Sequence, residues 1–142
     1  MKIDWTDPKS QVTEHFNVSD CLMLHKWNRL ATPEDGADIQ KLYSLCLVME
    51  EIRKILGYPI NVHCMYRSPE YNKLIGANPN DPHEQNLACD FDCNPKLNCD
   101  EVKIKLMSHL ENLDIRMENN GNSAGWVHID LCNIIHNRFF NP

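Results

Sequence analysis

Three side chains in the second half of the chain are of the types that bind a catalytic metal ion. His83 ends a polar loop, Asp90 follows it by seven residues, and His128 lies near the end of the sequence. Catalytic zinc takes three ligands from His, Asp and Glu and leaves a fourth position open for water, which the ion activates. Taken singly, the three residues also fit a solvated loop histidine, a strand-end acid and a core histidine. A metal site therefore requires a fold that brings them together.

Short predicted strands would position two of these ligands. Residues 87–91 and 126–131 read as strands, which places Asp90 and His128 inside regular structure. Residues 113–117 predict another strand, and residues 60–65 predict one in which Ile60, Val62 and Cys64 share a face. On that face Cys64 would act as a small hydrophobic residue.

Capping residues and apolar spacing predict the helices. Thr32 followed by Pro33 indicates the start of a long helix, and Gly57 with Pro59 indicates its end. The apolar stripe of this helix comprises Ile39, Leu42, Tyr43, Leu45, Cys46, Met49, Ile52, Ile55 and Leu56. Ser68-Pro69-Glu70 opens a short helix to about Leu74. Asn98 caps another helix, which carries Val102, Ile104, Leu106, Met107 and Leu110. This order predicts an α+β fold in which helices flank a small antiparallel sheet carrying the zinc site.

Length and composition predict one ordinary globular domain over residues 1–142. We divide it into an N-terminal lead (1–31), a core (32–131) and a C-terminal tail (132–142). A formal net charge of −6 argues against nucleic acid as a partner. The sequence shows neither the apolar segment of a signal peptide nor a transmembrane run, so we expect synthesis in the cytoplasm, no membrane partner and a monomer.

The seven cysteines of the chain include no Cys-x-x-Cys pair. Such a pair would suggest a zinc ribbon or a redox motif, so we expect most of the cysteines to be buried reduced thiols. Cys93 and Cys99 are the only close pair whose geometry could permit a bridge, and nothing in the local sequence demands one.

From Val12 to Leu131 the sequence resembles the zinc D-alanyl-D-alanine carboxypeptidase family. That family includes phage endolysins and bacterial cell-wall peptidases, and it shares its core with lysostaphin-type enzymes and the Hedgehog signalling domain. The resemblance rests on the order and spacing of five segments: 51–60, Tyr66-Arg67-Ser68-Pro69 with Asn72, Gly76-Ala77, 83–90, and Gly125-Trp126-Val127-His128-Ile129-Asp130.

The resemblance implies roles for several residues of this chain. His83, Asp90 and His128 would bind one zinc ion, and Arg67 would help to hold a substrate peptide. Ser68, Asn72 and Trp126 are further candidates for substrate contact, although Trp126 is also explained by core packing. Asp130 lies two residues after His128, so in a strand it would point to the same side and could hold the His128 ring in place.

The sequence departs from the family pattern near the first histidine and near the general base. Asp81 stands where the family usually has Ser, Pro82 precedes the histidine, and Asn86 replaces a common glycine. Gly125 occupies the position where many relatives carry the catalytic acid. Glu118 resembles the upstream glutamate of other relatives and is our candidate for general base; its alternative is a solvated strand-end carboxylate.

By resemblance, we expect a zinc metallopeptidase that hydrolyses a peptidoglycan stem peptide. The bond would be either terminal D-Ala-D-Ala or an internal bond next to D-glutamate, and the protein would reach the cell wall after phage-driven lysis. The main alternative is a zinc module of the same fold without peptidase activity, and a weaker one is a virion structural protein. Five histidines receive no role: His15, His25, His63, His109 and His136.

Overall fold

The structure is a computed structural model that describes residues 2–142. Its five α-helices are α1 (Val18–Leu22), α2 (Ile39–Leu56), α3 (Pro69–Ile75), α4 (Cys99–Leu106) and α5 (Leu110–Leu113). Its seven strands are β1 (Met23–Leu24), β2 (Arg29–Leu30), β3 (Asn61–Cys64), β4 (Ala88–Asp92), β5 (Arg116–Glu118), β6 (Val127–Asp130) and β7 (Phe139–Phe140). The α+β class is thereby confirmed. Among the described residues, no helix combines the length and apolar character needed to cross a membrane.

A five-stranded sheet organises the chain, in the order β3-β4-β6-β5-β7. Its first four strands pair antiparallel, which confirms the predicted small antiparallel sheet. The fifth strand, β7, pairs parallel with β5 and comes from the segment predicted as a tail. The prediction missed β7 because two phenylalanines in a polar tail carry no alternation that distinguishes a strand. β1 and β2 form a separate antiparallel pair.

The long helix α2 starts later than the sequence predicted. Pro33–Asp35 forms a single 3-10 turn, and Gly36 ends that turn with a left-handed φ of 104°. Asp38 then caps α2 by accepting hydrogen bonds from the backbone N–H groups of Gln40 and Lys41. The helix ends at Gly57, as predicted. The Thr32-Pro33 pattern therefore marks a turn before the helix rather than the helix itself.

One face of α2 supplies the centre of the hydrophobic core, through Leu42, Leu45, Cys46, Met49, Ile52 and Leu56. Ile39 and Tyr43, which the predicted stripe included, are about two-fifths exposed. The N-terminal lead is not peripheral, because Phe16, Val18 and Leu24 belong to the same buried cluster. Burial of these residues stabilises the lead against α2 and the sheet.

The helix predicted after Asn98 is interrupted. Asn98 and Glu101 form the capping box of α4, but the chain tightens into a 3-10 turn at Met107–His109 before α5 begins. Ile104, predicted on the apolar face, is 75% exposed. All seven cysteines are free thiols, and five are buried.

A bulge in β3 changes the face on which Cys64 lies. Val62 pairs with Phe91 on the core side of the sheet, whereas Cys64 pairs with Asp90, and the register shifts between them. Because directly opposite residues share a face, the bulge turns Cys64 toward the side that carries Asp90. The prediction that Cys64 shares a face with Ile60 and Val62 is wrong for this reason.

Gly36 packs against a buried tyrosine, and this contact yields a test of the fold. A Cβ at Gly36 would lie 2.6 Å from Tyr66 Oη, which donates a 2.6 Å hydrogen bond to the carbonyl of Asp35. We expect Gly36→Ala to lower the free energy of unfolding by about 2–4 kcal/mol, from left-handed strain plus overpacking.

Gly57→Ala is the matched control, because Gly57 is also left-handed but has open space around its Cβ position. That variant should lose only about 1 kcal/mol. Urea unfolding of both zinc-loaded variants measures the difference, and equal losses would contradict the proposed contact.

Candidate metal centre and active site

The sheet brings His83, Asp90 and His128 together. Asp90 on β4 lies directly opposite His128 on β6, and the loop before β4 delivers His83 to the same point. One potential ligand atom from each residue lies within 4.8 Å of the others. Two imidazoles and one carboxylate that converge in this way form a donor set suited to zinc, and three protein ligands leave a fourth position open.

The His83 ring is oriented by a backbone carbonyl. Its Nδ1–H donates to the carbonyl oxygen of Met65 at 2.6 Å, while Nε2 lies 3.2 Å from Asp90 Oδ2. Cys64 Sγ lies 3.7 Å from the same Nδ1. Because Nδ1 is committed to a carbonyl, Nε2 is the atom that His83 can offer to a metal.

The His128 ring is oriented the other way round, by a buried acid. Its Nε2–H donates to Asp130 Oδ2 at 2.9 Å, and its Nδ1 lies 2.8 Å from Asp90 Oδ1. Asp130 is fully buried, and the Arg116 guanidinium donates two hydrogen bonds to it, of 2.7 and 2.9 Å. This chain of contacts leaves Nδ1 of His128 free for a metal.

The charges of the cluster favour a cation at its centre. Burial disfavours ionisation of Asp90, but hydrogen bonds from His128 and His83 outweigh it and hold the carboxyl pKa well below its usual range. Burial disfavours the protonated ring of His83, yet its hydrogen bonds with Asp90 and Cys64 raise the pKa to about 10. Burial likewise disfavours the protonated ring of His128, but its hydrogen bonds with Asp130 and Asp90 raise the pKa. Ring protons and a divalent cation would therefore compete for the position beside Asp90.

Glu118 lies beside this cluster. It sits on β5, next to the strand of His128, and its Oε2 is 4.0 Å from His128 Nδ1. The side chain is 19% exposed, so the carboxylate is accessible from the pocket. Gly125 has only open space around its Cβ position. The structure therefore brings the predicted general base next to the predicted metal position.

The cluster opens into a pocket of about 490 Å³. Residues from several elements line it: Arg67, Gly76, Ala77, Asn78, Asp81, Pro82, His83, Asp90, Arg116, Glu118, Trp126, His128, Phe140 and Pro142. Trp126 forms part of the wall and is 41% exposed. The volume suits a short stretch of peptide.

The family model described as Peptidase M15 matches residues 15–130. The chain belongs to the peptidase M15 family. This finding confirms the resemblance drawn from the sequence. The family is zinc-dependent, and the cluster of His83, Asp90 and His128 could bind a metal. No curated protein and no solved structure matches the chain.

Of the predicted substrate-binding residues in this M15 peptidase chain, Arg67 and Trp126 reach the pocket and two others do not. Ser68 is fully buried, and its Oγ caps α3 by accepting from the backbone N–H of Tyr71. Asn72 is 1% exposed, and its amide donates to Asp81 and Glu84. Neither lines the metal pocket, so a role for them in substrate contact stays a prediction.

Two residues of the site were not predicted from the sequence. Arg116 binds Asp130, and its guanidinium carbon Cζ also lies 4.0 Å from the centre of the Phe140 ring. Phe140 in turn packs edge-on against His128, with ring centroids 6.0 Å apart. Arg116 lies two residues before Glu118, so strand alternation could have identified it as a neighbour on the same face. Nothing in the local sequence indicated Phe140, because its position depends on the pairing of β7.

We expect His83→Ala and His128→Ala to reduce zinc from about one equivalent to near zero, because each removes one of the three candidate ligands. Both should also lower thermal stability, since metal bound to the folded state stabilises it. Elemental analysis of the purified proteins measures the first effect.

His63→Ala is the matched control for these variants. His63 lies on β3, is 38% exposed and bonds Asp92 outside the cluster. The His63 variant should keep its zinc. Full zinc content in either the His83 or the His128 variant would overturn the ligand assignment.

Proposed function

We propose that the chain is a zinc-dependent metallopeptidase that hydrolyses peptidoglycan stem peptides. The observation that carries the proposal is the convergence of His83, Asp90 and His128 at the base of a pocket that also holds a carboxylate, Glu118. Membership of the peptidase M15 family supports a peptide substrate. We further propose that residues 1–142 act as one catalytic domain and that the protein meets its substrate at the cell wall, after phage-driven lysis.

The three ligands would hold one zinc ion, which supplies Lewis-acid polarisation of an amide carbonyl and activates water at neutral pH. Other groups of the chain orient the two histidine rings in the absence of metal. Met65 holds the His83 ring and Asp130 holds the His128 ring. Such pre-orientation favours metal binding because the rings lose little rotational freedom when the ion binds.

Glu118 would act as the general base and transfer a proton of the attacking water. Its carboxylate can accept a proton from the attacking water and pass it to the amine that leaves when the peptide bond breaks. The 4.0 Å separation of Glu118 Oε2 from His128 Nδ1 supports this role, and Glu118 is not part of the described cluster of His83, Asp90 and His128.

Arg67 would orient the peptide. Its backbone N–H donates to the carbonyl of His83 at 3.4 Å, which ties the arginine to the metal-binding loop. Its side chain lines the pocket and can donate to a substrate oxygen.

A non-catalytic zinc module remains the second candidate function, and one observation favours it. Gly125, at the position where many relatives carry their catalytic acid, has no side chain. If Glu118 does not act as the base, the same ligand set would only stabilise the fold or a partner surface.

Substituting Glu118 separates the two candidates. We expect Glu118→Gln to lower kcat at least about 100-fold on peptidoglycan while zinc content stays unchanged, because the variant loses a general base but no ligand. Release of D-alanine and of new amino groups measures the rate and also distinguishes the two candidate bonds.

The control is Glu111→Gln, which removes the same charge from an exposed position on α5. This variant should keep wild-type activity. Undiminished hydrolysis by Glu118→Gln would exclude Glu118 as the base, and zinc binding without any hydrolysis by the wild type would favour the non-catalytic module.

A further inference from the structure

An ion pair between Arg67 and Asp81 lies in the wall of the metal pocket. Arg67 Nη2 donates to Asp81 Oδ2 at 3.0 Å, and both side chains are less than one-fifth exposed. Asp81 is further fixed through Oδ1, which accepts from the Asn72 amide and from the backbone N–H of Glu84, each at 3.0 Å. The acid is therefore built into the loop that carries His83.

The pair presents a hydrogen-bond donor and an acceptor side by side. A carboxylate oxygen can accept about two hydrogen bonds, so Oδ1 of Asp81 is saturated while Oδ2 has one position left. The guanidinium of Arg67 has N–H groups beyond the one that binds Asp81. An extended substrate residue matches this pattern, because its own N–H and C=O point to the same side of the chain. Its carbonyl can accept from Arg67 while its N–H donates to Asp81.

A free carboxylate matches the pocket poorly. Arg67 and Arg116 are the two arginines among the described lining residues, and Asp81 and Asp130 already bind them. Lysine does not occur in the same lining set. A terminal carboxylate next to Arg67 would therefore approach Asp81 as well, and like charges brought together out of water disfavour binding.

We propose that Asp81 is a specificity-determining residue: the Arg67–Asp81 pair receives the uncharged backbone N–H and C=O of one substrate residue, and the protein cuts a bond inside a peptide chain in preference to one next to a free terminal carboxylate. The inference rests on the proposed peptidase function and selects between its two candidate bonds. Asp81 acts here through repulsion of the wrong substrate as much as through attraction of the right one.

The test compares two synthetic stem peptides that end in D-Ala-D-Ala and differ only in a free carboxylate or a carboxamide at the C-terminus. Binding is measured calorimetrically with the full-length, zinc-loaded Glu118→Gln protein, so that affinity is read without turnover. We expect the carboxamide to bind at least about tenfold more tightly. The Asp81→Asn substitution, made in the same Glu118→Gln protein, keeps an acceptor oxygen but removes the charge. It should shift the ratio of the two affinities at least about tenfold toward the free acid.

Two controls accompany the charge-removing variant. Asp81→Glu keeps the charge and should keep the preference for the carboxamide. Asp114→Asn removes a charge from an 87% exposed site and should leave the ratio unchanged.

A preference for the free acid in the parent protein, an unaltered ratio in Asp81→Asn, or no binding of either peptide would each overturn the inference. Cleavage of the same peptides by protein with Glu118 intact tests the proposed function separately. Selective binding without any cleavage would support the role of Asp81 and overturn the peptidase activity.

Discussion

The register of β4 against β6 is the constraint on which the site depends. Asp90 lies directly opposite His128, and a shift of one residue would turn one of them to the core face of the sheet. The core fixes this register, because Cys89, Phe91, Val127 and Ile129 on the other face are fully buried. Hydrophobic packing on one face of the sheet thus determines whether the candidate metal ligands meet on the other.

A second layer of contacts orients the two candidate histidine ligands once the register is set. Arg116 holds Asp130, Asp130 holds His128, and the Met65 carbonyl holds His83, so the two rings present different nitrogens to the same point. The first of these contacts joins the neighbouring strands β5 and β6, and the second lies within β6. Phe140 covers Arg116 from the edge strand β7, which joins the end of the chain to the wall of the pocket.

Much of this arrangement could be predicted from the sequence. Alternation and capping residues identified β3, β4, α3 and α4 to within a few residues, and Asp130 was assigned to the His128 face from strand geometry alone. The errors arose where tertiary contacts override local pattern. The β3 bulge moves Cys64 to the site face, Gly36 delays the start of α2, and β7 forms only because β5 offers a free edge. The burial of Ser68 and Asn72 could not be predicted, because a motif does not reveal which of its members are buried.

The most direct test of the account is the rate at which the purified protein releases new amino groups or D-alanine from peptidoglycan, measured with and without a chelator and after zinc is restored. The account predicts hydrolysis by protein that carries about one equivalent of zinc, loss of hydrolysis with the chelator, and recovery on adding zinc. Hydrolysis that persists in protein stripped of metal would contradict it, as would a purified protein that binds no metal at all.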